Sequence, residues 1–232
     1  MNIKLHPKTI FKANLYLILF LIVTNIVGVI LTYYFDYENI QRFIRVFDLN
    51  TEKNIPTLYS STALMVSSLL LMSIAFSRKH IKSTYIMWLV LGVIFAFLSI
   101  DEIFSIHERL GTLLRDELET SGVLFFAWII PYSIGLLAFV MAYSKFLLEL
   151  PKDTMVLFIV SGATFVSGAI GFEMLGGRQA ELHGITNIRY AIYYTCEESL
   201  EMTAIALFIY TLFTYIVNQF ESIGITVSKR VD

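Results

Sequence analysis

The sequence has a single cysteine, Cys196, among its 232 residues. One cysteine cannot form an intrachain disulfide, and it excludes the CxxC pairs of structural zinc sites and thiol redox sites. Charged residues are also scarce, at 16% of the chain. There is no run of basic residues outside the short loops that flank the apolar windows described below. The absence of such a run, together with a net charge of -2, argues against nucleic acid as a partner.

The sequence is rich in long apolar segments. Apolar residues make up 56% of the chain and the mean hydropathy is +0.70, which is outside the range of soluble domains. A window of about 20 apolar residues can cross a bilayer as a helix. Six such windows lie near residues 10–34, 57–77, 84–106, 122–147, 153–175 and 188–217. We therefore predict an all-α membrane bundle of six transmembrane helices, with residues 1–232 forming one integral membrane domain.

The first window is too long for a cleaved signal peptide, so we expect it to be retained as a span. With six spans, both termini lie on the same side of the membrane. Ten Lys and Arg residues fall on the side of the termini and seven on the other side. This bias predicts cytoplasmic termini in the cell membrane. Whatever the orientation, parity places the end of span three, the end of span five and the start of span six at one face, which the bias makes extracytoplasmic.

A short amphipathic segment joins spans one and two near residues 39–49. Its apolar residues, which recur at helical spacing, are Ile40, Phe43, Ile44 and Phe47. Its basic residues, Arg42 and Arg45, lie on the opposite side of that helix. This pattern predicts a short interfacial helix on the membrane. It is either a connector that shields the bundle edge or a lid that gates lipids at the site.

Ionisable residues gather at the ends of the apolar windows that share one face. They are Asp101, Glu102, His107 and Glu108 in IDEIFSIHERLG, Glu173 in GFEMLGG, and Glu197, Glu198 and Glu201 in CEESLEM, with His183 in the connection between the last two. Ionisable groups beside hydrocarbon are costly, and they usually face the protein interior and have a function. We therefore expect these residues to converge on one site.

Helical spacing limits how the first motif can be used. Glu102 and Arg109 share a stripe of a straight helix, which predicts an ion pair at the rim. His107 points away from Asp101 on such a helix. Either the helix unwinds near Leu110–Gly111, or only some of these residues bind one ion.

The chemistry of the cluster suggests a cation. Carboxylates this close repel each other and must take up protons or a cation, and basic partners near this face are few. Carboxylate and imidazole ligands suit zinc, iron or manganese, although the Glu-x-x-His pairs of di-iron bundles are absent. We expect an unidentified divalent metal and a proton acceptor. The candidate metal ligands are Asp101, His107, Glu108, Glu173, His183 and Glu201, and the candidate acceptors are Glu102, Glu197 and Glu198.

Three classes of function fit this site. The first is metal-assisted hydrolysis or redox chemistry on a lipid-like substrate. The second is a small transporter coupled to a cation or proton. The third is a membrane assembly or sensor subunit without catalysis. The sequence leaves open whether the protein is an enzyme.

Small residues in span five predict a close approach to neighbouring helices, and hence a central position for this span. They include Gly162, Gly168 and Gly171. The pair Gly176–Gly177 is expected to end the span and to let the following connection fold over the site.

The three motifs occur together as DExxxxHE, FEMLGG with a following His, and EExLEM. In a six-span chain this combination resembles a family of uncharacterised prokaryotic membrane proteins, from span three onward. The resemblance implies a shared architecture and no particular activity.

Overall fold

The apolar windows of the sequence form long helices. A computed structural model describes residues 6–34, 41–79 and 82–220, and within these residues the structure is helical and has no β-strand. Hydrocarbon offers no partner to backbone polar groups, so an apolar segment in a membrane must satisfy them within a helix. The helices are α1 (Pro7–Tyr34), α2 (Gln41–Phe47), α3 (Ile55–Ser77), α4 (Lys82–Phe104), α5 (Ile106–Leu118), α6 (Ile129–Leu148), α7 (Lys152–Val166), α8 (Glu173–His183) and α9 (Ile188–Gln219).

Six helical segments are long and apolar enough to cross a membrane. They are Pro7–Tyr33, Ile55–Ser77, Thr84–Phe104, Ile129–Leu148, Lys152–His183 and Ile188–Gln219. The fifth segment runs through α7, a π-helical stretch at Ser167–Phe172 and α8. The predicted all-α bundle with six membrane-spanning helices is confirmed.

The centre of the bundle is formed by α3 and α9. Half of the apolar window of each is buried (50%), against 11% for the fifth span. Helix α9 contacts α1, α3, α7 and α8. The expectation that span five is central is therefore wrong. A β-carbon added at Gly162 or Gly171 would meet no atom within 4 Å, so these glycines do not serve close helix approach.

The fourth span begins at Ile129 rather than near residue 122. The residues before it form a connector with a short 3-10 turn at Gly122–Leu124. Pro131 lies in the first turn of α6, where a missing N–H costs no helical hydrogen bond. The apolar connector residues made the span look longer in the sequence than it is.

The fifth span continues past Gly176–Gly177 to His183, contrary to the sequence-based expectation. Both glycines are buried inside α8. A β-carbon at Gly177 would lie 3.1 Å from Cδ2 of Phe126, and one at Gly176 would lie 3.6 Å from Cε2 of Tyr190. These glycines therefore admit aromatic rings against the helix and do not end it.

Helix α2 falls within the predicted amphipathic segment. Ile40 and the side chains of Arg42 and Phe43 lie outside the described residues. Phe47 packs edge-on against Phe20 of α1, with ring centroids 5.9 Å apart. Part of the apolar face of α2 is thus used against the bundle.

Aromatic side chains pack the end of the bundle remote from the acidic motifs. Trp88 is fully buried, and its ring lies 5.1 Å from Phe146 and 5.0 Å from Tyr215 between centroids. Phe158 completes this aromatic cluster at 6.0 Å from Trp88. The cluster packs the interior of the bundle on that side, and Phe146 and Tyr215 also line a second, smaller pocket of about 370 Å³ there.

Candidate functional site

A cavity of about 420 Å³ lies where the predicted acidic motifs meet. Eight carboxylates line it, and they are Glu52, Asp101, Glu102, Glu108, Glu173, Glu197, Glu198 and Glu201. His107 also lines it, whereas no Lys or Arg does so in the part of the chain that the structure describes. The lining is therefore strongly anionic unless protons or cations occupy it.

The helix carrying the first motif breaks at Ser105. This residue has a left-handed backbone (φ 50°, ψ 46°), which is uncommon for a residue other than glycine. Helix α4 ends before it and α5 begins after it, so the helix is interrupted at this residue. The backbone N–H of His107 donates to Oδ1 of Asp101 at 2.8 Å, and the Nδ1 atom of His107 lies 3.1 Å from the same oxygen.

This turn corrects two expectations for the first motif. The break lies at Ser105 and not near Leu110–Gly111, because Gly111 packs inside α5 against Trp128. Among the described residues no ion pair joins Glu102 to Arg109, since the turn takes the two off a common helical stripe. Instead, His107 faces Asp101.

Asp101 uses both of its carboxylate oxygens to hold neighbours. The Tyr132 hydroxyl donates to Oδ2 at 2.6 Å, while Oδ1 receives the two contacts from His107. A carboxylate on one imidazole nitrogen fixes the ring and directs the other nitrogen toward a ligand. The Nε2 atom of His107 lies 3.9 Å from Oε1 of Glu52. Asp101 thus holds the His107 ring through Oδ1 and the Tyr132 hydroxyl through Oδ2.

Three side chains form a potential ligand group for a cation at the cavity mouth. Glu52, His107 and Glu108 each offer one ligand atom, and these atoms lie within 4.8 Å of one another. Ser105 donates its hydroxyl to Oε2 of Glu52. Glu108 is exposed, so this group, here called the mouth group, lies at the open side of the cavity.

Sequence reasoning missed Glu52. It lies in the loop between α2 and α3, away from the end of any apolar window. Parity, however, places the connection between spans one and two at the same face as the acidic motifs. An acid in that connection could therefore have been predicted to lie near the acidic motifs.

The loop that carries Glu52 is held in place by asparagines. Asn25, which is buried in α1, accepts from the backbone N–H of Leu49 at 3.0 Å and donates to the hydroxyl of Thr195 at 2.9 Å. Asn54 caps α3 and donates to the carbonyl of Asp48 at 2.6 Å. The position of Glu52 is thereby tied to α1, α3 and α9.

Protonation of the mouth group follows from its surroundings. Burial acts to lower the pKa of His107, but the hydrogen bond and charge of Asp101, with Glu52 and Glu102 nearby, raise that pKa to about 9. Burial raises the pKa of Glu52 above its ordinary value, although the Ser105 hydroxyl opposes this. A metal needs the neutral imidazole, so a cation at His107 must displace a proton.

The five remaining glutamates, here called the inner carboxylates, come from α4, α8 and α9. They are Glu102, Glu173, Glu197, Glu198 and Glu201. The indole N–H of Trp128 donates to Oε1 of Glu173 at 2.9 Å. A β-carbon at Gly168 would lie 2.8 Å from the carbonyl oxygen of Glu197, so this glycine lets the π-helical stretch approach α9 closely. Such π-helical stretches are frequent at functional sites.

The structure brings nearly all of the predicted site residues together. The cavity is lined by Asp101, Glu102, His107, Glu108, Glu173, Glu197, Glu198 and Glu201. His183 does not line it, and this exposed residue ends α8 instead of lying in a loop. Which of these residues bind metal or transfer protons stays a prediction.

Comparison with known proteins identifies a family without an assigned activity. No curated protein and no solved structure matches the chain. The match to a family covers residues 15–216, which is most of the chain and includes all three acidic motifs. The protein therefore belongs to the family described as a domain of unknown function (DUF8692).

Proposed function

We propose that this protein is an integral membrane enzyme in which a divalent cation at the mouth group activates water for hydrolysis of a lipid-like substrate. Oxidation of the same substrate is the alternative reaction if the metal is iron, and it would need dioxygen as the oxidant. The observation that carries the proposal is the pairing of Asp101 with His107, which directs Nε2 of the imidazole toward Glu52. The positive-inside bias of the sequence supports a location of this site near the extracytoplasmic face of the cell membrane.

The mouth group suits such a metal. One imidazole and two carboxylates are three protein ligands, which leave a position for water, as in catalytic zinc sites. Manganese and iron accept the same ligand types. Glu102, Glu197 and Glu198 border the same cavity, and one of them would accept the proton of the activated water.

The aromatic packing at the other end of the bundle favours an enzyme over a transporter. Transport by alternating access needs a route to both faces of the membrane. The aromatic cluster around Trp88 fills the bundle on the far side of the cavity. This packing supports a site that is open at one face.

Metal content of the purified protein tests the proposal. Protein prepared without chelator should contain stoichiometric zinc, manganese or iron by elemental analysis. His107→Ala and Glu52→Gln should each lower that content at least tenfold, since loss of even a supporting partner of a metal ligand lowers metal affinity about 10-fold to 100-fold. Glu117→Gln, an exposed change on α5, is the matched control and should keep the metal.

Glu201→Ala separates two positions for the cation. If the metal lies at the mouth group, this variant keeps it. Loss of metal from Glu201→Ala with retention in Glu52→Gln would move the cation to the inner carboxylates and overturn the assignment of the mouth group. No metal in the wild-type protein, with no thermal shift on adding zinc, manganese or iron, would defeat the proposed function.

A further inference from the structure

The cavity changes polarity along the bundle axis in the same way on four helical segments. On each, a polar side chain lines the cavity and an apolar side chain lines it four residues away, about one helical turn deeper. The pairs are Ser60 and Leu64 on α3, Glu102 and Leu98 on α4, Glu173 and Ala169 around the π-helical stretch, and Glu201 and Ile205 on α9. A molecule that fits this lining has a polar head toward the mouth and an apolar tail toward the membrane centre.

The head of that molecule should be cationic and extended. Among the described residues, no three of the inner carboxylates bring ligand atoms as close together as the mouth group does. They therefore suit a second point-like metal ion poorly. Phe126, Trp128, Tyr190 and Tyr194 also line the cavity, and aromatic faces attract organic cations.

Ser60 supplies an independent sign of a ligand. Its side chain lines the cavity and is only 4% exposed, yet its Oγ atom has no hydrogen-bond partner among the described residues. A buried hydroxyl without a hydrogen-bond partner is unfavourable, because it has lost its bonds to water and gained none. A ligand with hydrogen-bonding head atoms would satisfy it.

From the graded polarity, the dispersed carboxylates and the hydroxyl of Ser60, we infer that the cavity binds a single-chain amphiphile with a primary ammonium head. An ammonium group offers three N–H donors, which can be shared between the inner carboxylates and Ser60. The inference deepens the proposed function, on which it rests, by naming the substrate class of the same site.

Tryptophan fluorescence can test this binding directly. The chain has two tryptophans, and Trp88 lies in the aromatic cluster while Trp128 lines the cavity. In a Trp88→Phe background, in phosphatidylcholine nanodiscs built on a tryptophan-free scaffold protein, emission reports on Trp128 alone. Hexadecylamine should change this emission saturably, while hexadecanol should not. Hexadecyltrimethylammonium, which has the charge without N–H donors, should bind at least tenfold more weakly, and empty nanodiscs give the correction for partitioning.

Substitutions in the cavity lining should weaken binding of hexadecylamine by amounts that depend on the contact removed. Ser60→Ala should lower its affinity about tenfold, as expected for the loss of one hydrogen bond from a charged donor. Glu198→Gln should lower it further, because this change also removes a charge that faces the ammonium. Ser67→Ala is the matched control on α3, because this buried hydroxyl donates to the carbonyl of Ala63 and does not line the cavity. It should bind the amine as the parent does. The thermal shift of wild-type protein with hexadecylamine gives a second readout if a variant folds poorly.

The outcomes separate this inference from the proposed function. Equal binding of hexadecanol and hexadecylamine, or normal amine binding by both Ser60→Ala and Glu198→Gln, overturns the inference. Metal in the purified protein without amine binding overturns it as well and leaves the proposed metal chemistry standing. Amine binding by a protein that takes up no metal supports the amphiphile and defeats the metal chemistry.

Discussion

At the scale of single residues, His107 couples protonation to folding. Its folded pKa of about 9 lies above the ordinary 6.5, because Asp101 and neighbouring acids favour the imidazolium despite burial. A raised folded pKa stabilises the native state fully below pH 6.5, and this contribution is lost as the pH rises through 9. Metal-free protein should therefore lose thermal stability between these values, as measured by unfolding in nanodiscs.

Two substitutions check this origin of the pH dependence. His107→Gln cannot titrate and should flatten the loss of stability over that range. Asp101→Asn removes the main favourable contact and should move the loss to lower pH. A pH profile that is the same in wild type and His107→Gln would show that other groups cause it.

The acidic residues of the motifs could be predicted from the sequence, but their partners could not. Acids at the ends of apolar windows can be recognised in the sequence, because a charge beside hydrocarbon is unfavourable and is kept only where it has a function. Glu52 has no such cost, since it lies in a loop, and only the parity of the spans put its loop at the same face. The contact of His107 with Asp101 was missed because it depends on the left-handed backbone of Ser105.

At the scale of helices, the π-helical stretch packs closely against α9 at Gly168. A β-carbon there would meet a backbone oxygen of Glu197 at 2.8 Å, which a side-chain rotation cannot relieve. Gly168→Ala should therefore destabilise the protein by about 1–3 kcal/mol, the usual range for overpacking. Thermal unfolding measures the effect.

Gly162→Ala in the same span is the matched control. A β-carbon there meets no atom within 4 Å, and alanine is the better helix former. Its stability should be unchanged or slightly higher. Equal destabilisation by both substitutions would contradict the close approach at Gly168.

The six spans could be predicted from the sequence because the thickness of the hydrocarbon sets their length. The residues at which the helices begin and end were predicted less well. Gly176 and Gly177 looked like a helix end and instead admit aromatic rings from neighbouring segments. Gly162, Gly168 and Gly171 looked equivalent, and only contact with α9 distinguishes Gly168. Such differences arise from tertiary packing, which local sequence does not encode.

At the scale of the whole molecule, positive-inside bias predicts that the cavity opens away from the cytoplasm. Cysteine labelling can test this, because Cys196 is the sole native cysteine and can be replaced by alanine. In that background, Glu117→Cys on α5 should react with a membrane-impermeant maleimide in intact cells. Lys79→Cys, an exposed position at the other end of the bundle, should react only after the membrane is opened. The reverse pattern would place the cavity on the cytoplasmic side.

Asn25 has a consequence for how variants of this protein are interpreted. Its side chain is 2% exposed and joins the loop that carries Glu52 to Thr195 on α9, although Asn25 does not line the cavity. Aspartate lacks the amide donor, and alanine lacks both the donor and the acceptor. A missense change at this position would therefore resemble, in its phenotype, a change in the cavity lining, although it acts by displacing the loop that carries Glu52.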